Sequence, residues 1–501
     1  MGLEKNDYLI PESLDKILYV ASEAYPLIKT GGLGDVAGSL PIALAKQGCD
    51  IRILLPYYSI LNKKFKKTKI IATVSVNDRE VNIIESIFPG TRIKIWCCDY
   101  APYFKRNGTP YTDLNGEPWS DNALRFDLFC KVAVLLACNQ LNLDWHADVV
   151  HCNDWQTGLI PVYLQQYPTR PACIFTIHNL AYQGLFSREI FNELELNESL
   201  WTPDALEFYG QMSFIKGGLV FADQINTVSP NYANEIQTEQ FGYGLDGLLR
   251  YKRDKLSGIL NGIDTRFWHP WHDPFLYVNY NNKSLDIKHT NKITVQTMFN
   301  FPKDKEKFVI GMVSRIIEQK GFEQIIAALP KLSELPIQLL ILGCGDRHYE
   351  SKLINLAKQY SKTFSVKIGY SENIAHMVTA GVDAFLMPST FEPCGLSQMY
   401  SLRYGTLPIV RNVGGLSDTV NDYVFDKKKV SDATGFVIRE HEDLISAITR
   451  SYETYLNKPI WLKLQRNAMR KDFSWQRSAS EYIKLYNKAN EINLQPMYVV
   501  Q

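Results

Sequence analysis

Lys29-Thr30-Gly31-Gly32-Leu33-Gly34-Asp35-Val36 follows the apolar run Lys16–Val20 and opens a helical pattern. Gly414-Gly415-Leu416-Ser417-Asp418 does the same after the apolar run Leu407–Val410. Each junction turns a strand-like run into a helix through paired glycines and sets an Asp near the helix start. Two such junctions, one near each end of the chain, predict two Rossmann-like domains in corresponding arrangement. The runs between them agree. In the first half they are Lys16–Val20, Ile51–Leu55, Lys69–Val76, Arg92–Cys97, Asp148–His151, Cys173–Ile177 and Gln224–Val228. In the second half they are Phe308–Val313, Gln338–Leu342, Phe364–Ile368, Ala384–Met387, Leu407–Val410 and Gly435–Ile438. Short, continuous apolar runs alternating with helical patterns read as buried parallel strands, because helices on both faces of a sheet remove the polar alternation.

The length of 501 residues calls for two or three domains. The boundary is expected near Tyr251–Ile263, and the stretch from His269 to Lys292, rich in Asn, Asp, Trp and Pro, reads as an irregular connector. A composition of 46% hydrophobic and 21% charged residues is that of an ordinary globular chain. A net charge of +1 gives no sign of a nucleic-acid binder, although a local basic site for a small phosphate stays compatible with it. The basic cluster Lys63–Lys69 reads as a solvated turn. Nine scattered cysteines match neither a zinc site nor a disulfide scaffold and point to a reducing compartment. Met1–Ile10 is polar and mixed in charge, and no apolar run approaches the ~18 residues that span a bilayer. A cytoplasmic protein without membrane association is expected.

Chemistry-bearing residues gather after the strand-like runs. Lys29 and the Gly31–Gly32 backbone at a helix start suit an anion, and equally form an ordinary Gly-rich turn. Arg315 and Lys320 share one strand-to-helix loop, where they are either solvated cations or a clamp for a diphosphate. Glu392, within Pro388–Leu396, is placed to accept hydrogen bonds from sugar hydroxyls. Cys394 beside it reads as a packed small residue, since no His or Asp is spaced to activate it. His151–Trp155 and Thr176–Leu180 put Asp154 and His178 at two further strand ends, and the alternating direction of strand side chains argues against a metal group there. Tyr57, Tyr58, Tyr103, Tyr111, Trp119, Trp155, Trp268 and Trp271 lie beside these motifs, either as sugar-stacking faces or as core filling.

Together these motifs resemble the bacterial and plant glycogen (starch) synthase family from about Lys16 to Tyr486. The matching segments are Lys29–Asp35, His151–Trp155, Thr176–Gly184, Asn226–Pro230, Gly258–Asp264, Ser314–Gly321, Pro388–Leu396 and Gly414–Asp418. The resemblance implies the α/β GT-B fold, two Rossmann-like doubly wound domains facing across a cleft. Residues 1–256 would be the acceptor-side domain and 257–474 the nucleotide-sugar domain, with 475–501 a C-terminal helix crossing back onto the first and acting in the hinge.

It also implies a retaining glucosyltransferase that moves glucose from ADP-glucose to the non-reducing-end 4-hydroxyl of an α-1,4-glucan, with no metal and no cofactor. By resemblance, Asp154, His178, Arg315, Lys320 and Glu392 are catalytic. Lys29, Gly31, Gly32, Asn261, Tyr370, Cys394, Gly395 and Leu396 bind substrate. Tyr400 stands where many wider relatives carry a second Glu at the ribose. The competing readings are another GT-B enzyme with a different donor or acceptor, and a non-catalytic glucan-binding relative. The latter would have no use for leaving-group cations. Oligomeric state is not legible.

Overall fold

The computed structural model describes residues 16–424, 432–439 and 441–494. The polar start Met1–Ile10 and the end of the C-terminal segment, 495–501, lie outside the described residues. Two compact units divide the chain. The first comprises the residues up to Thr227, Ile236–Ser257 and the chain from Ser478; the second comprises Val228–Glu235 and Gly258–Arg477.

In the first unit the strands are β1 (Lys16–Val20), β2 (Asp50–Pro56), β3 (Lys69–Val76), β4 (Arg79–Ile87), β5 (Lys94–Asp99), β6 (Val149–Asn153) and β7 (Ala172–Ile177). The short β8 (Leu185–Phe186), β9 (Glu207–Phe208) and β10 (Gln211–Ser213) follow, then β11 (Gln224–Thr227) and β12 (Leu256–Gly258). Nine of them form one sheet in the order β12-β11-β7-β6-β1-β2-β5-β4-β3, and β8, β10 and β9 make a small separate sheet. Pairing is parallel from β11 through β7, β6, β1 and β2 to β5. β1 is buried along nearly its whole length, as its Ile-Leu-Tyr-Val run requires. The chain leaves β1 for β2 on one side and returns to β6 on the other, so a topological switch point lies between β1 and β6.

One expected parallel strand is different. Lys69–Val76 is the antiparallel edge of this sheet, paired with β4 through the turn Asn77-Asp78, and most of it is exposed or half-buried. Both turn residues have positive φ, 48° and 58°, which is the two-residue hairpin geometry that Asn and Asp tolerate. β4 itself leaves no unbroken apolar run in the sequence, because charged and polar positions interrupt it.

The second unit carries β13 (Phe308–Val313), β14 (Ile337–Gly343), β15 (Phe364–Ile368), β16 (Ala384–Met387), β17 (Leu407–Arg411) and β18 (Phe436–Ile438). Their order is β15-β14-β13-β16-β17-β18, with every pairing parallel. Counted from β13 this is 3-2-1-4-5-6, the Rossmann order, with the switch point between β13 and β16. The topological counterpart of the first Gly-Gly-Leu turn is therefore the Ser314–Gly321 loop after β13, and not the Gly414 turn, which follows β17. The connector is also less irregular than expected, since Lys288–Met298 is helical. It is pinned by buried Lys288, which donates to the carbonyls of Ala380 and Val382 at 2.6 Å each.

The final helix, Trp475–Leu494, begins in the second unit and continues in the first. There Tyr486 meets His151 Nδ1 at 2.9 Å, and Tyr482 accepts from Asn226 at 2.9 Å. Among the described residues no helix is long and apolar enough to cross a membrane.

Candidate active site

In the first unit the chemistry collects at the carboxyl ends of β1, β6 and β7, neighbours at the switch point. The loop after β1 is shaped by Glu23, a buried carboxylate that the sequence reading missed. It accepts from the backbone N–H and hydroxyl of Thr30, weakly from the Gly31 N–H at 3.4 Å, and from the Tyr111 hydroxyl at 3.0 Å. Burial raises its pKa against those donors. Glu23 thereby fixes the segment carrying Lys29, Gly31 and Gly32. Lys29 is paired with Asp35 at 2.7 Å, and nothing would touch a Cβ built on Gly31 or Gly32. Packing therefore does not demand these glycines; what they leave is open space beside a helix N-terminus.

Asp154 directly follows β6 with φ 58° and ψ −179°, a backbone region that is nearly exclusive to glycine. Its Oδ1 accepts from the N–H groups of His178 at 2.7 Å and Asn179 at 3.4 Å, tying the end of β6 to the residues leaving β7. Burial lifts its pKa to about 7, opposed by those two N–H bonds. His178 lies beside it, with its pKa lowered by burial to about 3, so the ring is neutral. Its tautomer follows from its neighbour. Asn153 donates its amide to the Val20 carbonyl at 2.9 Å, so its Oδ1 must accept, and it faces His178 Nε2 at 2.9 Å. Nε2 is thus the protonated nitrogen. Nδ1 is a buried acceptor with no partner among the described residues, available to a hydroxyl donor. His151 is spent on structure, bound by Tyr486 and by Thr176 at 2.8 Å.

In the second unit the groups follow β13 and β16, the pair flanking its switch point. Lys320 meets Glu392 at 2.5 Å with both side chains largely buried, and Ser389 donates to the same carboxylate oxygen at 3.0 Å. Gly321, at φ 77°, sits where a Cβ would lie 2.3 Å from the Pro388 carbonyl, so only glycine lets the two loops approach. Arg315 is exposed and makes no ion pair among the described residues. A Cβ on Gly414 would lie 2.0 Å from the Glu392 carbonyl and one on Gly415 2.2 Å from that of Cys394. The second Gly-Gly pair therefore supports the Glu392–Leu396 loop rather than presenting a site of its own. Burial pushes the Cys394 thiol up to about 12, which leaves it protonated and unsuited to attack. Asn261, which lies against Cys394, has a buried Oδ1 without a partner among the described residues.

The structure thus groups Lys29, Gly31, Gly32, Asp154 and His178 in one unit, and Arg315, Lys320, Glu392, Asn261, Cys394, Gly395 and Leu396 in the other. Tyr370 stands apart from the second group at the end of β15, exposed, with its hydroxyl on Glu372 at 2.6 Å. Tyr400 has a packing role, stacked on Trp268 at 3.9 Å, which stacks in turn on His376 at 3.6 Å.

Comparison with known proteins agrees with this architecture. Residues 16–251 match the family described as the starch synthase catalytic domain, and residues 295–471 match the glycosyl transferases group 1. The glycogen synthase of Cellvibrio japonicus (strain Ueda107) is 50% identical over 477 residues, covering 94% of this chain and 99% of that protein. Glycogen synthase 1 of Methylococcus capsulatus is 49% identical over 476 residues, covering 95% and 96%. Among solved structures, the catalytic domain of starch synthase IV from Arabidopsis thaliana, bound to ADP and acarbose, has a TM-score of 0.85 at 29% identity and covers 96% of this chain and 100% of its own. A sucrose-phosphate synthase from Thermosynechococcus elongatus, 17% identical with a TM-score of 0.58, shares the fold.

Two doubly wound units of this kind, with these family matches and relatives, define a glucosyltransferase of the GT-B fold. The chain belongs to the glycogen/starch synthase family.

A buried acid whose pKa rises on folding binds more protons in the folded than in the unfolded state. Between the ordinary carboxylate range and pH 7 it therefore makes stability fall as pH rises. Asp154→Asn keeps an acceptor for the His178 N–H and removes this titration. The stability of the variant relative to the unsubstituted chain should rise from pH 5 to pH 8, by at most ~4 kcal/mol. Thermal unfolding at both pH values measures it, and a pH-independent difference contradicts the raised Asp154 pKa.

Proposed function

We propose that this chain transfers glucose, with retention, from ADP-glucose to the non-reducing-end 4-hydroxyl of an α-1,4-glucan, releasing ADP in the cytoplasm. The observation that carries the reading is what stands at the strand ends: the buried Asp154 beside the neutral His178 ring in the first unit, and the exposed Arg315 beside the Lys320–Glu392 ion pair in the second. Residues 1–256 serve the acceptor and residues 257–474 the nucleotide, with the last segment, 475–501, returning to the first domain. That the nine cysteines are all unpaired supports a reducing compartment.

In the reaction, the bond between the donor's anomeric carbon and its phosphate oxygen breaks, and a bond from that carbon to the acceptor 4-oxygen forms on the same face. The acceptor proton passes to the departing phosphate. Arg315 and Lys320 take up the negative charge growing on the diphosphate. The Asp154 carboxylate and the His178 carbonyl oppose the positive charge at the anomeric carbon, while His178 Nδ1 accepts from a glucose hydroxyl. Glu392, already held by Lys320 and Ser389, grips further hydroxyls with the Cys394–Leu396 backbone. Lys29 and the open Gly31–Gly32 backbone take donor phosphate or sugar. Asn261 offers its unpartnered oxygen, and Tyr370 lies beside the base. The protonated Cys394 thiol supports displacement without a covalent sulfur intermediate.

ADP release should require both ADP-glucose and glycogen primer, and should be much faster than UDP release from UDP-glucose. Equal rates with the two donors, or release without primer, would overturn the assignment. Lys320→Ala should lower kcat by ~10²–10³-fold, the scale for removing one transition-state donor, and leave glycogen binding intact. A folded variant with unchanged turnover would defeat the phosphate role.

A further inference from the structure

The second unit contains a cavity of about 270 Å³ that none of the residues assigned above lines. Its walls include Thr265, Arg403, Arg470, Lys471, Asp472 and Ser474, where Ile263 and Ser474 form an isolated parallel bridge. This is many times the ~15 Å³ that one water needs. Three cations face one carboxylate, and Asp472 Oδ1 is already engaged with the Ser474 N–H at 2.9 Å. Among the described residues, none of the three cations lies in an ion pair. The Arg403 Nε is buried with no hydrogen-bond partner.

Helix ends account for part of this charge. Arg403 and Arg470 close the helices Ser397–Arg403 and Lys458–Arg470, where a cation complements the terminal carbonyls. A capping arginine would bond those carbonyls, and Arg403 bonds none among the described residues. Its guanidinium is half-buried, and burial lowers its pKa, only partly offset by the charge of Asp472, which makes no ion pair with it. Burial first, and then the Arg403 charge, hold the nearby His269 down to about 4, so that ring is neutral and adds no further cation. A desolvated, unpaired guanidinium is costly unless an anion completes it.

We propose that this cavity binds a small phosphorylated anion, with Arg403 and Arg470 forking its oxygens, Lys471 adding charge, and the Thr265 and Ser474 hydroxyls donating. Inorganic phosphate and a small phosphomonoester share this chemistry, and the site is independent of the donor-phosphate role given to Arg315 and Lys320.

The test is isothermal titration of the full-length chain carrying Lys29→Ala, Arg315→Ala and Lys320→Ala, which removes the competing donor-phosphate cations. Inorganic phosphate and glycerol 3-phosphate are titrated separately. Saturable one-to-one binding is expected. Tighter binding of inorganic phosphate identifies the free ion as the ligand, and tighter binding of the ester identifies a phosphorylated metabolite. Adding Arg403→Gln and Arg470→Gln should weaken it roughly tenfold or more. Arg470→Gln alone, at an exposed side chain, keeps the fold and should weaken it measurably. Absence of saturable binding for both probes, or affinity unchanged by these substitutions, overturns the proposal.

Discussion

The Asp154 carboxylate is held out of water at the end of a parallel strand, in a backbone conformation that costs of the order of 1–3 kcal/mol for a residue with a side chain. One oxygen binds the first two N–H groups beyond the neighbouring strand, so the position of His178 is set by the same contact that buries the charge. Asn153, the last residue of β6, fixes the ring and its tautomer from the other side. Strain, burial and hydrogen bonding therefore act on one point, where an anomeric carbon would need negative charge and a hydroxyl acceptor. Without that clasp, the ends of β6 and β7 would present two unrelated polar residues.

In the proposed reaction the second unit meets the opposite requirement. A leaving diphosphate needs cations that are placed before it arrives, and a buried lysine is tolerable in the meantime only with a partner. Glu392 is that partner, and Gly321 and Gly414 let the backbone of three loops approach closely enough to hold the pair. Arg315 is left exposed on the same loop. The ion pair fixes both side chains, as the roles proposed for Lys320 at the diphosphate and Glu392 at the sugar require.

Most of the fold was legible because parallel strands covered on both faces leave an unbroken apolar record, as in Phe308–Val313 and Ala384–Met387. Strand ends are legible for the same reason, since a polar residue directly after such a run stands out, as Asp154, His178 and Arg315 do. Glu23 carries a similar signal after β1, but the stronger glycine pattern that follows overlies it. Its role depends on a return contact from Tyr111, which no local pattern encodes. The hairpin of β3 and β4 was obscured because an exposed edge alternates and carries charge. The excursion of Val228–Glu235 into the second unit rests on long-range bonds, such as that from the Asn231 N–H to Asp418 at 2.9 Å. The backbone strain at Asp154 has no compositional trace at all.

In the proposed reaction the acceptor attacks from the face that the nucleotide leaves, so the configuration at the anomeric carbon is retained. Proton NMR of a maltooligosaccharide extended from ADP-glucose tests it most directly. New anomeric signals of α-1,4 linkages only, growing in step with ADP, are expected. A β-linked product, or no ADP-glucose-dependent extension by the folded chain, would contradict it.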